Sequence, residues 1–67
     1  MGEPVLLRET AAGILVLTLN RPEVMNALNF ELLGSLREEI ERIRFETDVR
    51  VLILTGAGER AFCAGAD

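Results

Sequence analysis

Two nearly continuous apolar runs, Ile14-Leu15-Val16-Leu17-Thr18-Leu19 and Val51-Leu52-Ile53-Leu54-Thr55, bracket a helical repeat, and that order leaves few folds open to the chain. A strand that is apolar at both parities is expected to be covered on both faces, as strands of parallel sheets are. Strand, helix and strand in succession imply a right-handed parallel crossover. A single helix covers only one face of such a sheet, so the chain reads as the opening of a larger α/β domain. No repeat or linker interrupts it.

The helical repeat lies between Phe30 and Arg44, where Leu32, Leu33, Leu36, Ile40 and Ile43 recur at a spacing near 3.6, with Arg37, Glu38, Glu41 and Arg42 between them. Asn29 is the expected N-cap, Glu31 suits the positive helix start, and Glu38 with Arg42 forms an i,i+4 pair in the favourable orientation. Upstream, Val5-Leu6-Leu7-Arg8-Glu9-Thr10 and the first apolar run flank Ala11-Ala12-Gly13, which signals a hairpin with a short loop. Asn20-Arg21-Pro22-Glu23 then breaks the strand pattern, because proline cannot donate to a ladder and biases Arg21 toward extended geometry.

Composition narrows the function classes. With 67 residues the chain is at most one small domain, which buries only about 60% of its unfolded surface. The net charge is −4 and all seven basic residues are arginines with no clustered face, which argues against nucleic acid as a partner. The apolar runs are too short to span a bilayer, and Met1-Gly2-Glu3-Pro4 lacks the basic start of a secretory signal, so the reading is cytoplasmic with no membrane partner. One cysteine and no histidine leave neither an internal disulfide, nor a zinc site, nor a Ser-His or Cys-His nucleophile. Any acid or base is a carboxylate or comes from elsewhere.

Two glycine-containing segments follow the second run. Thr55-Gly56-Ala57-Gly58-Glu59-Arg60 matches neither nucleotide fingerprint, since Ala61 stands where a third glycine belongs, and it reads as a strand-ending turn. Ala61-Phe62-Cys63-Ala64-Gly65-Ala66-Asp67 is a turn of small residues. A backbone this bare can approach a ligand closely and aim N–H groups at a negative charge, as an oxyanion hole requires, although a plain tight turn has the same composition.

Taken together, the hairpin, Leu19-Asn20-Arg21-Pro22-Glu23, Asn26-Ala27-Leu28, the amphipathic helix, Val51-Leu52-Ile53-Leu54-Thr55-Gly56 and the closing heptapeptide resemble the crotonase family, the enoyl-CoA hydratase/isomerase superfamily. The resemblance runs over essentially all of the chain. It implies an α/β spiral of ββα units, with residues 1–67 as the N-terminal part of a single domain, and an active site for an acyl-CoA thioester. By that resemblance Ala66 gives one backbone N–H to the thioester oxygen, and a second donor comes from a glycine-rich helix start further along the family's chain. Val24, Met25, Ala64, Gly65, Ala66 and Asp67 are then expected along the CoA substrate. Coenzyme A is part of the substrate, and no separate cofactor or metal is expected.

The same comparison assigns the remaining polar residues. Glu23 stands where many relatives carry a basic residue, so no ionic contact to a CoA phosphate is expected there. Arg21 is a candidate for a phosphate contact but reads first as a solvated charge, Cys63 reads as a packing residue before a reactive thiol, and Asp67 as the cap of a following helix rather than a catalytic acid. The leading expectation is an enoyl-CoA hydratase that adds water across a 2,3-trans double bond, with an enoyl-CoA isomerase, an acyl-CoA hydrolase or a ring-forming synthase as alternatives. The family implies trimers or paired trimers. As they stand, the 67 residues are expected to be noncatalytic, lacking the second donor and the family's carboxylates.

Overall fold

The computed structural model describes residues 4–59, 62, 63 and 65. It has strands β1 (Leu6–Ala11), β2 (Ile14–Leu19) and β3 (Val51–Gly56), and one helix, α1 (Phe30–Ile43). A short 3-10 turn spans Pro22–Val24. The strands form one sheet in the order β1-β2-β3. β1 and β2 pair antiparallel, while β2 and β3 run parallel with α1 between them in sequence. The α/β class and the parallel strand pair expected from the two apolar runs are therefore present.

The hairpin is tighter than the three-residue loop expected. Ala11 pairs with Ile14, so only Ala12 and Gly13 turn the chain, at φ 51° and 83°. Positive φ at both central residues is the primed geometry whose twist matches the flanking strands. The Gly13 carbonyl then accepts from the amides of Arg50 (2.7 Å) and Val51 (3.2 Å), which seats the hairpin tip against the entry to β3.

Register decides which face is covered. Leu15, Leu17 and Leu19 point to one face of β2 and are buried, as is Leu32 of α1. Arg8 stands opposite Leu17 and so shares that face. Its guanidinium bonds Glu39 of α1 at 2.7 Å and Glu46 just beyond the helix at 2.5 Å, which places the helix over the buried leucines. Glu39 first, then Glu46, raises the Arg8 pKa above the ordinary arginine value. Each leucine so covered contributes about 1.5–3 kcal/mol relative to exposure.

The other face corrects the expectation of burial on both sides. Val16 and Thr18 are half-buried, and Val51, Leu52, Ile53 and Leu54 are each between 43% and 48% exposed. The cause is topological: β3 lies at the sheet edge, and one helix supplies one layer. Even Leu52 and Leu54, in register with Leu15 and Leu17, lack a neighbouring strand on their outer side among the described residues.

Helix α1 begins as expected. Asn29 is extended (φ −125°, ψ −180°) and its side chain accepts from the Leu32 amide at 2.9 Å, with Glu31 in the first turn. Its surface pairing differs from expectation by one residue. Arg42 reaches Glu39 at 3.4 Å rather than Glu38, because Glu39 is already drawn inward by Arg8 and offers its second oxygen.

Candidate functional site

β2 and β3 are parallel neighbours, so the loops that follow them leave the sheet at the same end. The carboxyl ends of parallel strands are where α/β sheets hold ligands. The register brings Leu19 beside Gly56, and the Ala57 amide extends the ladder to the Leu19 carbonyl at 2.7 Å. Residues 20–29 and 57–65 thus start side by side.

The first loop is a compact knot of backbone hydrogen bonds. The Arg21 carbonyl accepts from Val24 (3.1 Å) and Asn26 (2.7 Å), Pro22 accepts from Met25 (3.1 Å), and Val24 accepts from Ala27 (3.1 Å). Met25 and Asn26 both adopt left-handed backbone, at φ 54° and 59°. Asparagine tolerates that region; methionine there is uncommon and costs free energy, a form of strain that accumulates at ligand sites.

Asn26 ties this knot to the second loop. It is fully buried, its Oδ1 accepts from the Arg21 amide at 2.8 Å, and its Nδ2 donates to the Ala57 carbonyl at 2.9 Å. A second tie lies nearby: the Leu28 amide donates to the Gly65 carbonyl at 2.8 Å. A third is steric. A Cβ added at Gly56 would sit 2.3 Å from the Phe62 carbonyl oxygen, 2.8 Å from the Phe62 Cα and 2.7 Å from Asn26 Nδ2, so only a glycine lets the three segments meet.

The expected site residues divide accordingly. Val24 and Met25 lie in the knotted loop with more than a third of their surface exposed, free to line a ligand. Gly65 is brought to that loop by the Leu28 bond. Ala64, Ala66 and Asp67 lie outside the described residues. Cys63 is a half-buried free thiol. Arg21 departs from its reading as a solvated charge: it is half-buried and its guanidinium donates to the Ala27 carbonyl, which closes the loop on itself.

In the sequence Asn26 figures only as part of Asn26-Ala27-Leu28, with no role of its own. A polar residue after a proline-marked break is an ordinary loop residue by pattern, and its partner Ala57 lies beyond the helix. No local pattern marks the contact, because Asn26 and Ala57 meet only through the pairing of β2 with β3.

Between them the two loops offer backbone groups, the Asn26 carboxamide and the exposed carboxylates of Glu23 and Glu59. Among the described residues no group of three or more His, Cys, Asp or Glu could hold a metal, and no helix is long and apolar enough to cross a membrane. A separate cleft of about 280 Å³ lies at the opposite end of the parallel strands, beside the hairpin tip, where Arg8 is already occupied by Glu39 and Glu46.

Known proteins share both sequence and fold with the chain. The family described as enoyl-CoA hydratase/isomerase matches residues 9–67. YngF of Bacillus subtilis strain 168 is 46% identical over 67 residues, which is 100% of this chain and 26% of that protein. The (E)-benzylidenesuccinyl-CoA hydratase of Thauera aromatica is 48% identical over 64 residues, 96% of this chain and 25% of its own length. The crystal structure of an enoyl-CoA hydratase from Bacillus anthracis superposes with a TM-score of 0.91 at 42% identity, covering 94% of this chain and 25% of that one. The chain thus spans about a quarter of the length of the relatives it matches. With its three-stranded sheet and single helix matching the N-terminal portion of the crotonase fold, this chain belongs to the enoyl-CoA hydratase/isomerase family.

Proposed function

We propose that the chain forms one wall of an acyl-CoA thioester site and supplies one of two backbone donors to the thioester oxygen, in an enzyme that hydrates 2,3-trans enoyl-CoA. The observation that carries this reading is the joining of residues 21–28 to Gly65 at the carboxyl ends of β2 and β3 through the Leu28 amide. The donor on this side is the Ala66 amide, as the resemblance to the family implies, and Gly65, its neighbour in sequence, is held by the Leu28 amide.

The chemistry explains why a donor is wanted there. Hydration of an enoyl thioester passes through an enolate whose charge falls on the thioester oxygen. Fixed N–H groups in a water-poor pocket stabilise it, each by about 2.7–4 kcal/mol. Small residues at 64–66 let a ligand approach the backbone, and exposed Val24 and Met25 offer apolar surface for the pantetheine arm. The second donor, the carboxylates that move protons, and a trimeric or hexameric assembly belong to the full-length protein, so the 67 residues alone are noncatalytic in this reading.

The family's description pairs hydratase with isomerase, and although hydration passes through the enolate of a 3-hydroxyacyl thioester and isomerisation through a dienolate, both place negative charge on the thioester oxygen, so isomerisation of an enoyl-CoA is the second reading. Incubating the full-length protein with crotonyl-CoA and with a 3-enoyl-CoA separates them. Loss of the conjugated enoyl absorbance with formation of 3-hydroxybutyryl-CoA supports hydration. Appearance of a conjugated enoyl-CoA without hydration assigns isomerisation, and no change with either substrate counts against both.

A further inference from the structure

Asn26 is the fully buried polar side chain among the described residues, and it joins two loops that are separated in sequence by the whole of α1. It uses both polarities of its carboxamide. Oδ1 accepts from the Arg21 amide within its own loop, and Nδ2 donates to the Ala57 carbonyl at the exit of β3. No other side chain of this size does both. Aspartate keeps the acceptor and loses the donor, placing a carboxylate against the Ala57 carbonyl; leucine keeps the shape and loses both bonds.

The surrounding backbone is built to this geometry. Left-handed φ at both Met25 and Asn26 turns the loop so that the carboxamide faces inward. Gly56 clears the space, since any Cβ there would stand 2.7 Å from Nδ2 and 2.3 Å from the Phe62 carbonyl. Two residues after Asn26, the Leu28 amide reaches the Gly65 carbonyl.

We propose that Asn26 is a positioning residue: by bonding Arg21 and Ala57 together it sets the separation of the two loops at which the Leu28 amide meets the Gly65 carbonyl, and so fixes Gly65, the residue next in sequence to the proposed oxyanion donor. This role rests on the acyl-CoA reading above. Its consequence is specific. Asn26 is fully buried, so its loss acts through the two loops it joins and weakens binding of the enolate more than binding of the rest of the ligand. A displacement of about 1 Å at such a site costs on the order of 10²-fold.

The test compares wild-type full-length protein with Asn26→Asp and Asn26→Leu, using Gly34→Ala on the exposed side of α1 as control. Calorimetry measures the dissociation constants for free coenzyme A and for a CoA thioester carrying a stable enolate. The expected result is a loss of about 10²-fold for the enolate thioester in both variants, exceeding any loss for coenzyme A by at least tenfold, with the control unchanged. Equal losses for the two ligands, or no loss for either, overturn the positioning role. Wild-type protein that binds neither ligand overturns the acyl-CoA reading, and the positioning role with it. Should the variants not fold, exchange of the Asn26 carboxamide protons in the wild type decides: protection supports the bond to Ala57, and free exchange overturns it.

Discussion

The Leu28 amide lies 2.8 Å from the Gly65 carbonyl and closes two loops, one after β2 and one after β3, into a single backbone surface. Gly65 adopts φ 116°, where side chains are strained, and a Cβ there would have nothing within 4 Å. Gly65→Ala is therefore a purely conformational probe. It is expected to cost about 1–3 kcal/mol, read as a lowered denaturation midpoint, with a fall in thioester turnover.

Gly56→Ala probes the same junction sterically. Its new methyl would meet the Phe62 carbonyl oxygen at 2.3 Å, and a backbone atom cannot swing aside as a flexible side chain does. A loss of about 1–3 kcal/mol is expected by denaturant titration. A neutral result would show that the 56–62 backbone is looser than its geometry implies.

Gly34 sits in the interior of α1 with open space around its Cα. Alanine there removes backbone freedom from the unfolded chain without a clash. Gly34→Ala is expected to stabilise by about 0.5–1 kcal/mol, with activity unchanged.

Ala12 holds φ 51° in the two-residue hairpin turn, a position that favours asparagine. Ala12→Asn is expected to raise the thermal midpoint, corresponding to about 1 kcal/mol of relieved strain. An unchanged or lowered midpoint would argue against the primed turn.

Legibility in the sequence follows the range of the interaction. The helix was readable because Leu32, Leu36, Ile40 and Ile43 repeat locally and Asn29 caps its own first turn. The strands were readable from their apolar runs, and their parallel pairing from the helix between them. Coverage was not, because the exposure of Val51–Leu54 depends on β3 standing at the edge, which no local pattern encodes. Arg42 chose Glu39 over Glu38 because Arg8, from another strand, had already oriented Glu39. The candidate site was half legible. Small residues marked the second loop, whereas the bonds of Asn26 to Ala57 and of Leu28 to Gly65 exist only once β2 and β3 are paired.

The role proposed for the Ala66 amide is to stabilise the enolate. It is tested by single-turnover and steady-state kinetics of full-length Ala66→Pro, which lacks that N–H, beside Ala66→Ser, which keeps it. The account predicts a fall of about 10²–10³ in kcat for Ala66→Pro and near wild-type turnover for Ala66→Ser. An Ala66→Pro protein that turns over enoyl-CoA as fast as the wild type would contradict it.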